Sequence, residues 1–245
     1  MRRRMVKTVI QLPNRLRVLA GFIPPGARVI DIGTDHARLP VWLVQTGRVT
    51  HAVATDIREK PLARARRLVE RCGLEASIRL VWADGLRGVS EEKPDTVVIA
   101  GMGADTIAGI LRAAPPLPET VFLLQPMTHA ERLRLFLAEH GYELYGERLA
   151  AEKGRLYNIL AARPGGPRGT PPPAACYVGP ALRAAGDPLF AVYLTRQIRR
   201  LRAEARALAA SRKPEDAKRL AWAEAALTEL EAQSPPAGAQ TRAAL

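Results

Sequence analysis

Cysteine is nearly absent: the two present, Cys72 and Cys176, stand in no CxxC or Cys/His spacing. That excludes a disulfide framework or a structural zinc site as the organising device and fits a reducing compartment. Runs of about 18 consecutive apolar residues, the length a membrane span needs, do not occur. The apolar pair Val9-Ile10 is soon interrupted by Gln11, Pro13, Asn14 and Arg15, so no signal-peptide core forms. The expected location is the cytoplasm, with no membrane partner. Aromatic residues make up only 5% of the chain, and no aromatic-rich RNA-recognition motif is visible. Lysine is scarce too, supplying six of the 37 basic residues while 31 are Arg, a bias that a GC-rich genome explains more simply than phosphate geometry does.

What is there describes a folded enzyme-sized chain. The 245 residues are 47% hydrophobic and 25% charged, enough for one domain with a sizeable core plus an appendage. Acidic residues number 24, leaving a net charge of +13, which predicts attraction to a polyanion and says nothing of the fold. The excess is divided: residues before Pro164 carry 25 basic and 17 acidic side chains, net +8, and the rest 12 and 7, net +5. The Pro/Gly-rich stretch from Pro164 to Pro173 prevents regular helix or central strand. The expected division is therefore a domain over 1–163, a linker over 164–188, and a helical hairpin with a disordered tail over 189–245.

Before the boundary, strand-length apolar runs alternate with helical patterns. Arg28 to Ile32, Ala52 to Asp56, Ser77 to Trp82, Asp95 to Ala100 and Val121 to Leu124 read as strands, with helices from about Leu39, Lys60, Asp105 and Thr128. Continuous apolar strands separated by helices predict a parallel sheet covered on both faces. Two further strands, near Tyr142 to Leu149 and Leu156 to Ala162, follow one another directly and read as an antiparallel edge hairpin. The fold class is α/β, a doubly wound Rossmann-like sheet. After the boundary, Leu194, Ile198, Leu201, Ala205 and Leu208, then Leu220, Ala223, Leu227 and Leu230, recur at spacings of three and four. They predict the seam of an antiparallel, coiled-coil-like helical hairpin. A monomer is favoured, with the seam satisfied either within one chain or by a partner.

In an open parallel sheet, ligands bind beyond the carboxyl ends of the strands. Polar residues and glycines gather there: Asp31, Gly33, Asp35 and His36 after the first strand, Asp56-Ile57 after the second, Asp84-Gly85 after the third, and Gly101-Met102-Gly103 after the fourth. Asp56 is placed to accept hydrogen bonds from a ribose hydroxyl pair, and Asp84 from an adenine amino group. Each alone is more often a helix cap or a solvated turn; their joint placement points to an adenosine. NAD and FAD sites want G-x-G-x-x-G after the first strand, whereas Gly33-Thr34-Asp35-His36-Ala37-Arg38 has one glycine and an acid where pyrophosphate would lie. A G-x-x-x-x-G-K-[ST] loop is missing as well. The acid suits a cationic sulfonium and amino group, which selects S-adenosylmethionine; no metal is implied.

Several segments together carry a resemblance: Leu12-Pro13-Asn14-Arg15-Leu16, Asp31 to Pro40, Asp84-Gly85-Leu86, Ile99 to Gly103, Leu124-Gln125-Pro126 and Gly179-Pro180. In order and spacing, from about Leu12 to Leu208, they resemble the bacterial tRNA adenine-N1 methyltransferases that modify position 22. The resemblance implies a class I methyltransferase domain, S-adenosylmethionine as donor, tRNA as acceptor, and a C-terminal coiled coil that helps hold the tRNA. Three positions depart from the family pattern: Arg38 for an aromatic, Ala104 for a glycine, and Met127 for the Asn after Gln-Pro.

Adenine N1 carries its own lone pair, so the chemistry needs alignment and no strong general base. The expected wall of the target base is Gly101-Met102-Gly103, with Gln125 and Pro126 across from it; Met102 also suits a core filler. His36 faces cofactor or base, or is a structural hydrogen-bonding residue. Phosphate contacts are expected from Arg2, Arg3, Arg4, Lys7, Arg15 and Arg17, which equally suit a solubilising tail. Arg196, Arg199, Arg200 and Arg206 on the hairpin are expected to do the same and equally suit a solvated face. A non-catalytic RNA-binding protein on this fold, or a methyltransferase for another acceptor, are the competing readings.

Overall fold

The computed structural model describes residues 8–233. Arg2, Arg3, Arg4 and Lys7 of the expected RNA contacts lie outside them. The chain divides into two compact units, Met1–Thr170 and Pro171–Leu245.

The first unit opens with helix α1 (Asn14–Ala20), then alternates strand and helix: β1 (Val29–Ile32), α2 (Arg38–Gln45), β2 (Ala52–Asp56), α3 (Glu59–Cys72), β3 (Ile78–Trp82), β4 (Thr96–Met102), α4 (Ala104–Ala113), β5 (Val121–Pro126), α5 (Ala130–Glu139), β6 (Tyr142–Glu152) and β7 (Arg155–Pro164). The seven strands form one sheet in the order β3-β2-β1-β4-β5-β7-β6. β1 to β5 run parallel; β7 pairs antiparallel with both β5 and β6. The sequence reading anticipated the edge hairpin, but not that its second strand lies inside the sheet and its first at the edge. Lys153 and Gly154 close the hairpin, both with positive φ, 49° and 75°, the two-residue turn whose twist matches that of its flanking strands.

Alternation along the strands divides the core between two faces. Ile30, Ile32, Val97, Ile99, Phe122 and Leu124 pack with Ile107, Leu111, Leu133 and Leu137 of α4 and α5. Val29, Val98 and Leu123 pack on the other face with Leu19, Leu39 and Leu43 of α1 and α2. This two-sided cover is why β1 is buried at all four positions. One polar device crosses the core: Arg134 of α5, 3% exposed, donates to Glu147 of β6 at 2.8 Å and to Asn158 of β7 at 2.9 Å.

In the second unit, α6 (Pro173–Tyr177) and α7 (Pro180–Ala184) precede the hairpin α8 (Phe190–Ala209) and α9 (Pro214–Ala232). The expected linker 164–188 thus contains two short helices. Proline opens each at its first turn, where its missing N–H costs nothing. Burial of Ala174, Cys176, Tyr177, Val178 and Leu182 holds them in the unit. Tyr193 of α8 donates its hydroxyl to the Tyr177 carbonyl at 2.9 Å. Of the expected seam, Leu194, Ile198, Leu201, Leu208, Ala223 and Leu230 are buried. Ala205, Leu220 and Leu227 are half-buried, and Ala226 takes the buried place beside Leu227. Among the described residues no helix is long and apolar enough to cross a membrane.

Candidate functional site: the cavity at the strand ends

β1 pairs with β2 on one side and β4 on the other, so the strand order reverses between β1 and β4. A crevice opens at such a switch, outside the carboxyl ends. Here it is a cavity of about 650 Å³, within the size range of small-molecule sites. β1 contributes Asp31 and the loop after it Gly33, Asp35 and His36; the end of β2 contributes Asp56 and the residue beyond it Ile57; the loop after β3 contributes Asp84 and Gly85; β4 contributes Gly101 and Met102; α1 contributes Arg15. Four carboxylates from three strand ends therefore meet around one space, as the sequence spacing led one to expect.

The loop after β1 is held in an unusual conformation. Gly33 has φ of +68°, a conformation that favours glycine, and a Cβ placed there would stand 2.0 Å from Met102 Cε, so the end of that side chain would have to move. Asp35 and Ala37 also take positive φ, 51° each, a conformation costly for side-chain-bearing residues. Partners fix the loop: Thr34 N–H donates to the Thr55 carbonyl at 2.8 Å, and Arg64 of α3 donates to Asp35 Oδ1 at 2.8 Å. His36 Nε2 lies 3.5 Å from Asp35 Oδ2.

Each acid has a distinct setting. Asp56, 3% exposed, accepts from the Arg58 N–H at 2.9 Å and the Asp35 N–H at 3.4 Å, which aims its carboxylate while leaving acceptor capacity. Asp31 is buried and accepts from the Thr34 hydroxyl at 2.6 Å. Burial pushes its carboxyl up to about 7, the Asp56 charge adds to the rise, and the Thr34 hydrogen bond opposes it. A cationic ligand entering beside Asp31 would restore the favourable charge balance that burial removed. Asp84 is exposed at the outer end. Ile57, 55% exposed, has its carbonyl held by the Trp82 indole N–H at 2.8 Å. The four carboxylates of the lining, Asp31 and Asp56 of them buried, thus fit a sulfonium cofactor with a ribose.

The β4 end is arranged differently from the expectation. Ala100 pairs with Gln125 and Met102 with Pro126, across an irregularity between Ala100 and Met102. The two segments stand beside one another as neighbours in the sheet, rather than across the site. Gly101 and Met102 line the cavity, Gly103 caps α4, and Gln125 and Pro126 are buried behind. Met102 packs against the α4 and α5 core and also lines the cavity. Gln125 reaches the site through Arg15, whose Nη1 donates to Gln125 Oε1 at 3.0 Å; its own Nε2 donates to the Pro126 carbonyl at 2.9 Å. Arg17, by contrast, is exposed and donates to Asn14 Oδ1 at 2.8 Å.

Sequence reasoning missed Thr34, Thr106 and Ile110 in the lining. Thr34 was findable as the hydroxyl three residues after Asp31; Thr106 and Ile110 are four apart on α4, a shared face legible once the helix starts at Ala104. Among the described residues no group of three or more His, Cys, Asp or Glu is placed to hold a metal ion. On the hairpin, Arg199, Arg200 and Arg206 are exposed and Arg196 is half-buried.

Comparison with known proteins gives a consistent result. A family profile described as a methyltransferase domain matches residues 12–160. A tRNA (adenine(22)-N(1))-methyltransferase of Bacillus subtilis is 37% identical over 158 residues, 64% of this chain and 66% of that relative. The chain so matched spans just under two thirds of that relative. The crystal structure of the B. subtilis m1A22 tRNA methyltransferase TrmK superposes with a TM-score of 0.79 at 30% identity, covering 91% of this chain and 98% of that one. A Streptococcus pneumoniae protein, Sp1610, in complex with S-adenosyl-L-methionine, superposes with a TM-score of 0.74 at 29% identity over 89% of this chain and all of that one (100%).

Proposed function

The chain belongs to the methyltransferase-domain family, among the tRNA (adenine(22)-N1)-methyltransferases, and from that membership we propose that it methylates N1 of adenine 22 in tRNA with S-adenosylmethionine as donor. The observation that carries the proposal is the convergence of Asp31, Asp56 and Asp84 with Gly101 and Met102 on one cavity at the strand-order switch.

When bound, S-adenosylmethionine supplies a methyl on a sulfonium sulfur, which keeps the bonding electron pair as the methyl departs and becomes a neutral thioether. Asp56 holds the ribose hydroxyls through oxygens already aimed by the Arg58 and Asp35 amides. Asp84 accepts from the adenine amino group, and the Asp31 and Asp35 carboxylates balance the ammonium and sulfonium charges. Gly33 and Gly101 let backbone come close to the ligand. Met102 forms an apolar wall where the target base meets the donor.

The base attacks through the N1 lone pair, so no side chain has to remove a proton first. The protein's contribution is alignment and exclusion of water, which convert an encounter into a near-attack geometry. The methylated adenine is cationic and later releases its N6 proton to water. N1 lies on the Watson–Crick edge, so a paired or stacked target is first exposed, at a cost of a few kcal/mol. Arg15, tethered to Gln125, offers the remaining guanidinium donors to RNA phosphate or to the base.

Nucleoside mass spectrometry of unmodified tRNA incubated with the protein and donor tests this reading. N1-methyladenosine at position 22 is the expected product. Asp56→Ala should weaken donor binding by about 10- to 100-fold in calorimetry, the range for a lost charged hydrogen bond. N6-methyladenosine, or no product from wild type, refutes the assignment.

A further inference from the structure

A second cavity, of about 500 Å³, adjoins the first; where the first mixes four carboxylates with Arg15, Arg38 and Arg58, the second has basic side chains and no acid. Its wall includes Arg38 at the start of α2 and Arg64, Arg67 and Arg71 of α3, facing Gln11. No carboxylate belongs to that lining. His36 and Arg38 line both cavities, so the two share a wall at the loop after β1 and the start of α2. We propose that these four arginines form a groove that grips the phosphodiester backbone of the RNA beside the methyl-transfer site.

The helix explains how the groove is built. Burial of Leu62, Ala65, Leu68 and Val69 turns one stripe of α3 to the core. Arg64, Arg67 and Arg71, spaced three and four, share a neighbouring stripe, with Lys60 one turn earlier. Like charges at these spacings repel one another, and Glu59 and Glu70 lie off the stripe, so helix stability does not account for the pattern. A solvated amphipathic face would be convex; this one closes a concavity with a guanidinium from another helix. Among the described residues, Arg64 pairs with Asp35, while no carboxylate ion pair engages Arg38, Arg67 or Arg71. Arg64 thus ties the stripe to the cofactor loop and the others keep their donor forks for a ligand. Four guanidiniums suit phosphate oxygens, which accept two parallel N–H bonds from each fork. Arg64 to Arg71 spans about 10 Å along the axis, so the ligand is an extended anion rather than one phosphate.

The proposal rests on tRNA being the substrate, and the experiment separates the two. Wild type, Arg67→Ala/Arg71→Ala and Arg66→Ala are compared for methyl transfer to tRNA, for tRNA affinity across a salt series, and for donor binding by calorimetry. Alanine is the best helix former, so α3 is retained; Arg66 is exposed and outside the groove lining. Expected for the double variant are a KM for tRNA raised about 10-fold and a plot of log affinity against log salt shallower by about one to two. Its donor affinity should match wild type, and Arg66→Ala should stay within about twofold of wild type throughout. An active wild type with a double variant that behaves like Arg66→Ala overturns the groove alone. Loss of donor binding in the double variant also overturns it, since the arginines would then act through the cofactor cavity. A wild type that transfers no methyl to tRNA overturns the substrate assignment instead.

Discussion

Asp31 is the residue whose chemistry is most strongly set by the fold. Unfolded, its carboxyl titrates in the ordinary range near 4; folded, burial lifts it to about 7. The folded protein without ligand therefore binds this proton more tightly than the unfolded chain. The associated stability is fully present below about pH 4 and is lost as pH rises toward 7, on the order of 4 kcal/mol in all. A cationic donor reverses the preference by favouring the carboxylate. Donor affinity should rise with pH up to about 7 and level off above it, with proton release measurable by calorimetry in buffers of different ionisation enthalpy. Asp31→Asn should flatten the profile, and a wild-type affinity that stays constant from about pH 5.5 to 8 would sink the account. Asp31, Asp56 and Asp84 were legible in the sequence because strand ends can be located from apolar runs. The bond from Arg15 to Gln125, 110 residues apart, was not, since no local pattern encodes which side chains a fold brings together.

At the scale of elements, five parallel strands and their helices were legible from continuous apolar runs, each within a few residues of its observed bounds. Helix α1 was not: seven residues with Arg15 and Arg17 interleaved give too short a periodic signal. Neither was the burial of charge in α5. Arg134 looks in sequence like an exposed helix cation, yet it reaches Glu147 and Asn158 with both ion-pair partners nearly inaccessible. Such a pair is costly to break singly because the surviving charge stays buried. Arg134→Met should destabilise the first unit by about 3–5 kcal/mol, lowering Tm by on the order of 10 °C. Arg134→Met/Glu147→Leu should recover much of the loss. Thermal unfolding of the single and double variants checks this, and a single variant as stable as wild type would show that the network contributes nothing.

For the whole molecule, the +13 charge is divided between two units of different architecture. RNA affinity of this kind is dominated by phosphate contacts and counterion release. Exposed Arg199 and Arg206 of the hairpin should contribute without touching donor binding. Arg199→Ala/Arg206→Ala is expected to weaken tRNA binding several-fold at about 0.1 M salt, make its salt dependence shallower, and leave donor affinity unchanged; filter binding across a salt series would expose an unaltered slope. The placement of β7 between β5 and β6 also has a consequence for incomplete chains. The last strand to be made is an interior one, so a nascent or truncated chain ending before Arg155 holds β6 without its neighbour. Such a chain presents the open edge of β5, with Phe122, Leu123 and Leu124, to whatever is nearby. Unpaired apolar edges recruit other chains, so a chain truncated between β5 and β7 is expected to aggregate where the full chain stays in solution, which sedimentation of the two after expression would check.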